Sequence, residues 1–156
     1  MTQIPAPGTP APHFSLKRDG GGEVDLKDFA GRKLVLYFYP KASTSGCTKQ
    51  AIAFNGLRAA FENADTAILG VSADSVPAQD KFKAKYDLHF PLASDEALEM
   101  LKAYGVWVEK SLYGRKYMGI ERVTLLIDRD GTVARVWPKV KVEGHAQDVL
   151  SAAQAL

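Results

Sequence analysis

Residues 34 to 54 read LVLYFYPKASTSGCTKQAIAF, and the two ends of this stretch follow different patterns. LVLYFY is continuous, apolar and rich in aromatic and branched side chains, as in a strand buried on both faces. Pro40 ends it, because proline has no N–H to give to a ladder. Beyond a row of small residues, Ala51, Phe54, Leu57, Arg58 and Phe61 recur at spacings of three and four. That spacing predicts a helix from near Cys47 to about Asn63. The chain's one cysteine therefore stands where a loop becomes a helix.

The same reading extends outward. TAILGVSA (66–73) is a second buried strand. SVPAQDKFKAKY (75–86) is a helix with Ser75 as cap, Pro77 in the first turn, and Phe82 and Tyr86 turned inward. FPLASD (90–95) is a short extended piece, and EALEMLKAYG (96–105) is a helix stopped by Gly105. VTLLID (123–128) is a third buried strand, which RDG turns into an antiparallel partner, TVARVW (132–137). GHAQDVLSAAQAL (144–156) closes as a helix with Val149, Leu150 and Ala153 on one face. Near the start, HFSLKR and EVDL flank DGGG (19–22) as a hairpin.

Strands alternating with helices predict an α/β fold, a central mixed sheet with helices on both faces and an N-terminal β-hairpin. A doubly wound nucleotide fold and a thioredoxin-like fold share this order. No glycine-rich phosphate loop follows a strand, and the terminal antiparallel pair favours the thioredoxin-like form. We expect one domain over residues 1–156. Pro5, Pro7, Pro10 and Pro12 make residues 1–12 an extended surface lead-in.

The chain has 156 residues, 46% of them hydrophobic, and a formal net charge of +2. Scattered lysines and arginines without a long like-charged block disfavour nucleic acid or an anionic membrane as partner. No apolar run reaches the ~18 residues of a membrane span. A single cysteine and no export signal predict a reducing cytoplasm. His13, His89 and His145 lie too far apart for metal-ligand spacing, so no metal or cofactor is expected. His89 and His145 read as surface or capping residues, and Trp107 and Trp137 as packing residues.

A lone cysteine is often a small buried hydrophobe. A helix start offers it another role. Unpaired N–H groups of the first turn, here near Gly46 and Cys47, and the helix dipole both favour an anionic sulfur. The same groups can steady negative charge on a bound oxygen. The Thr44 hydroxyl can donate and accept beside the sulfur, and Pro40 can limit water. A cation has to come from elsewhere in the chain. Phe38, Tyr39 and Trp107 are candidate apolar walls.

PKASTSGCT (40–48) is similar to the active-site signature of the peroxiredoxins, with Pro40, Thr44, Ser45 and Cys47 on its positions. YFYPK, DLKDFAG, YGVWVEK and GIERVTLLIDRDG (119–131) resemble stretches of the peroxiredoxin Q, or bacterioferritin comigratory protein, group. The resemblance spans roughly residues 8 to 156. It implies a thioredoxin-like fold and a thiol-dependent peroxidase acting on hydrogen peroxide and organic hydroperoxides. It implies Cys47 as nucleophile and Arg122 as the missing cation, with Thr44 and Pro40 beside them.

Many relatives carry a second, resolving cysteine, either five residues on, where this chain has Ile52, or on the next helix, where Lys83 stands. The chain therefore resembles a one-cysteine member. An external thiol, glutathione with glutaredoxin or else thioredoxin, is expected to recycle it, and the first turns around residues 47 to 53 are expected to stay folded. The resemblance leans towards a monomer. The same residues also admit two other roles, a peroxide sensor relaying oxidation to a partner and an inactive thioredoxin-fold binding module.

Overall fold

A computed structural model describes residues 3–156. Its centre is β3 (Lys33–Phe38), buried along its whole length. Alternation sends Leu34, Leu36 and Phe38 to one face, and Val35, Tyr37 and the following Tyr39 to the other. β3 pairs in parallel with β4 (Thr66–Ser72) and antiparallel with β8 (Val123–Ile127). β5 (Leu92–Ser94) lies parallel to β4, and β9 (Val133–Trp137) antiparallel to β8. The hairpin of β1 (Ser15–Arg18) and β2 (Glu23–Asp25) completes a mixed sheet of order β2-β1-β5-β4-β3-β8-β9.

Four helices cover the Tyr37 face: α1 (Ser45–Gly56), α2 (Arg58–Asn63), α3 (Val76–Tyr86) and α5 (His145–Ala155). They bury Phe54, Phe61, Phe82 and Val149 against it. Each such side chain contributes roughly 1.5–3 kcal/mol on leaving water. α4 (Glu99–Ala103) covers the other face with Met100 and Leu101. Ser75 caps α3, accepting from the Ala78 amide, with Pro77 in the first turn.

The helix expected over 47–63 is two helices. It starts at Ser45, and Leu57 leaves helical geometry (φ −102°, ψ 5°) directly after Gly56. Glycine holds a helix weakly. The step keeps Phe54 and Phe61 on the same core, their ring centroids 6.0 Å apart. The helix expected over 96–105 is confined to Glu99–Ala103, because Leu98 takes a left-handed conformation and the Asp95 carboxylate receives the Leu101 amide.

No strand was expected between Gly105 and Val123. There β6 (Trp107–Leu112) and β7 (Arg115–Ile120) form a separate two-stranded arm. Tyr113 and Gly114, with φ 52° and 76°, make the tight turn that fits a hairpin's twist. Most of the arm's side chains are exposed, so it lacks the apolar alternation that marks a strand. The lead-in is tied down at the outer edge of the sheet: the Gly8 amide donates to the Val133 carbonyl, and the Val133 amide to the Thr9 carbonyl. This covers an edge that would otherwise be open. Among the described residues no helix is long and apolar enough to cross a membrane.

Candidate active site

Pro40 ends the buried run of β3, and Thr44, in extended geometry (φ −84°, ψ 158°), begins α1. The Thr48 amide makes an early helical bond to the Thr44 carbonyl at 2.9 Å. Ser45, Gly46 and Cys47 thus form a first turn whose amides have no partner within the helix. Cys47 is a free cysteine, 1% exposed.

Arg122, in the short link between β7 and β8, brings the cation. Its Nη2 lies 3.4 Å from the Cys47 Sγ, and its Nη1 donates to Gln50 Oε1 at 2.6 Å. Gln50 stands one turn beyond Cys47, on the same side of α1. A side-chain carbon at Gly46 would lie 3.2 Å from Nη2, so glycine gives the guanidinium room. The Arg122 carbonyl is held by the Val140 amide at 2.8 Å.

Beneath the sulfur lies an aromatic floor. Tyr37 stacks on Phe54 with ring centroids 4.8 Å apart, and Tyr39 lies 5.5 Å from Tyr37. Tyr39 donates to Gln79 Oε1 at 2.6 Å, and Gln79 Nε2 donates to Ser72 Oγ at 2.9 Å and to the Ala93 carbonyl at 3.0 Å. Ser72 donates to Asp74, whose carboxylate also receives the Ala42 amide at 2.8 Å. This relay ties the loop before Cys47 to the sheet. Burial, and then the neighbouring Tyr39 and Cys47 charges, raise the Tyr37 pKa against the opposing effect of Arg122. Burial also dominates the rise at Tyr39. Both phenols are therefore neutral.

The structure brings Pro40, Thr44, Gly46, Cys47 and Arg122 into one region, though Thr44 does not cap α1 with its side chain. Its hydroxyl donates to the Lys41 carbonyl at 2.7 Å and keeps its lone pairs free to accept. Ile52 is 49% exposed. Lys83 binds Asp19 Oδ2 at 2.8 Å, fastening α3 to the turn after β1. His13 and His89 sit beside Asp25 and Asp87 on exposed ground.

Two expectations fail here. His145 is neither a surface residue nor a cap: it is 5% exposed, 2.8 Å from the Thr124 hydroxyl, and edge-on to Phe54 and Trp137. It opens a helix whose first turn packs inward. Phe38 and Trp107 pack in the core on the opposite face of the sheet from Cys47, so of the three proposed walls only Tyr39 shares the sulfur's layer.

Two residues near the sulfur escaped the sequence. Gln50 could have been found from its i+3 spacing to Cys47. Lys110 lies on the unforeseen arm, its stem placed so that a carbon at Gly119 would meet its Cδ at 3.3 Å. Its ammonium is pushed down, first by burial and then by Arg122, while Cys47 and Glu121 pull it up.

The AhpC/TSA family profile matches residues 7–136. A putative peroxiredoxin bcp of Coxiella burnetii is 48% identical over 143 residues, 92% of this chain and 95% of that one. Peroxiredoxin Bcp of Bacillus subtilis is 44% identical, over 92% and 91%. Among solved structures, Xanthomonas campestris peroxiredoxin Q superposes with a TM-score of 0.87 at 46% identity, covering 91% of this chain and 90% of that one. Xylella fastidiosa PrxQ superposes with a TM-score of 0.92 at 39% identity, covering 97% and 96%.

The chain belongs to the AhpC/TSA family. Within that family it is a peroxiredoxin of the Bcp or peroxiredoxin Q group, a thiol-dependent peroxidase, and it carries one cysteine. The Xanthomonas campestris protein has been solved as serine variants at two cysteines 36 positions apart. In this chain, Lys83 stands 36 positions after Cys47.

Proposed function

We propose that Cys47 is the peroxidatic nucleophile of a one-cysteine cycle acting on hydrogen peroxide and organic hydroperoxides. The observation that carries this is the 3.4 Å approach of Arg122 Nη2 to the sulfur at the first turn of α1. The thiolate attacks the nearer peroxide oxygen. The S–O bond forms, the O–O bond breaks, and the departing oxygen takes a proton and leaves as water or alcohol, so that Cys47 becomes a sulfenic acid. Arg122 and the Gly46 and Cys47 amides hold the negative charge that moves across the O–O bond. Thr44, its proton committed to Lys41, accepts the peroxide O–H and sets its direction. Pro40 closes the rim against water. Rate and selectivity come from this alignment of nucleophile, cation and amides on the peroxide.

An external thiol then condenses with the sulfenic acid, releasing water, and a second thiol frees Cys47. Glutathione with glutaredoxin, or thioredoxin, are the candidate reductants. A lone thiol with this cycle suits the reducing cytoplasm, and we expect the chain to act as one domain and as a monomer.

Stopped-flow mixing with equimolar hydrogen peroxide, read by intact mass, tests the proposal. Rapid loss of the thiol with gain of one oxygen, absent in Cys47→Ser, supports it. Oxidation no faster than that of a free thiol overturns it.

A further inference from the structure

No residue of α5 takes part in the peroxide chemistry proposed above, yet this helix opens on a buried imidazole. His145 is 5% exposed. Its ring Nε2 lies 2.8 Å from the Thr124 hydroxyl, and Thr124 is itself fully buried on β8, two residues after Arg122. The ring also stands edge-on to Phe54, with centroids 5.9 Å apart, and to Trp137, at 5.8 Å. Phe54 belongs to α1, the helix of Cys47 and Gln50. Trp137 ends β9 and leads into the loop whose Val140 amide donates to the Arg122 carbonyl at 2.8 Å. The same loop closes on α5, because the His145 amide donates to the Val142 carbonyl at 3.1 Å. Tyr37, Thr124 and Trp137 are cross-strand neighbours in one row of the sheet, so the imidazole covers the end of the aromatic floor. One side chain thus bears on the helix of the thiol, the strand that follows the cation and the loop bonded to it.

Resting on the peroxidase reading above, we propose that His145 is a positioning residue for Arg122. Through Thr124 and the loop 138–144 it fixes the backbone from which the guanidinium reaches Cys47. Arg122 lies between β7 and β8, outside either strand. A long side chain reaches its target accurately only when its own backbone is held, and a small misplacement of reacting groups costs rate. Thr124 is the one polar residue of the strand VTLLI. A buried hydroxyl is costly unless it is paired. A neutral imidazole offers one donor and one acceptor, and a hydroxyl can be either, so the pair is satisfied in both ring tautomers. Burial is the main cause that holds His145 at about 4, so at neutral pH it sets no like charge against Arg122. Gln50 and Cys47 steer the tip of the arginine, and His145 steers its root.

The test separates alignment from stability. Cys47 oxidation by hydrogen peroxide, Cys47 alkylation by chloroacetamide and the urea midpoint are measured for each variant. Peroxide cleavage needs the arginine in place, whereas alkylation reads the thiol alone. His145→Leu and Thr124→Val are each expected to lower the oxidation-to-alkylation ratio about three- to tenfold, the range of one buried hydrogen bond. The double variant is expected to be no worse than either single one, because both break the same contact. His145→Gln is expected to recover most of the ratio, since its amide can pair with the Thr124 hydroxyl. Val149→Ala, at a fully buried position on the same helix, is expected to lose stability and keep the ratio. A purely structural role would leave the ratio unchanged in every variant, or make the two single losses add, and either result overturns the proposal. Hydrogen exchange at the Val140 amide gives a reading without peroxide. It is expected to be faster in His145→Leu and Thr124→Val than in Val149→Ala at matched global stability, and equal exchange overturns the proposal. Failure of the peroxidase reading would show separately, as slow oxidation of the parent, and the exchange comparison still reads the role of His145.

Discussion

Arg122 donates to Gln50 at 2.6 Å, so the helix that begins at the reactive sulfur also holds the cation that serves it. Gln50 is 1% exposed and lies one turn beyond Cys47. Moving α1 would move thiol and guanidinium together.

Replacing Gln50 by Leu removes this tether and leaves the guanidinium to swing. A hydrogen bond to a charged group is worth about 1.5–3 kcal/mol. We expect the rate of Cys47 oxidation by hydrogen peroxide to fall about tenfold or more, while Gln50→Glu, which keeps the acceptor, loses less. An unchanged rate in the leucine variant would remove Gln50 from the site.

Gly46→Ala places a methyl 3.2 Å from Arg122 Nη2. Glycine in a helix is ordinarily worse than alanine by roughly 0.5–1 kcal/mol. The variant should therefore be as stable as the parent or slightly more so, yet oxidise more slowly. Urea midpoints beside stopped-flow rates separate the two effects. Loss of stability and rate together would point to general distortion instead.

Lys83 occupies the position 36 residues from Cys47 and clasps Asp19. Burial alone would raise the Asp19 pKa, but Lys83 and the Leu92 amide more than offset it, and the net shift is downward. In the parent, amide exchange over residues 47–53 and over α3 should change little on oxidation. Lys83→Cys both opens the clasp and supplies a second thiol. One equivalent of peroxide should then yield an internal disulfide, two hydrogens lighter than the reduced chain, with faster exchange in α3. A variant that simply gains one oxygen would show that α3 cannot open far enough.

His145 is depressed to about 4, chiefly by burial and further by Arg122, with Asp148 acting the other way. The unfolded chain takes up this proton near pH 6.5, before the folded one does. The contribution is therefore intact above about pH 6.5 and is lost as pH falls towards 4, by on the order of 3 kcal/mol. Urea titrations at several pH values should show this slope, flattened in His145→Gln. An equal slope in that variant would assign the acid sensitivity to the carboxylates.

The sequence by itself determined the sheet's central strands, the helix that starts near Cys47, and the identity of Pro40, Thr44 and Cys47 as neighbours. β3, β4 and β8 are buried on both faces, so their apolar runs are continuous, and local spacing carries the message. Arg122 was legible only through resemblance, since 75 positions separate it from the sulfur it touches. Tertiary structure alone decided the rest. The arm that carries Lys110 is exposed and lacks a core-facing pattern, and the direction of α5 determines that His145 is buried. Which face of β3 meets Cys47 places Tyr37 and Tyr39 under the site and sends Phe38 away from it. Periodicity records which residues leave water; it does not record which distant chain they meet when they do.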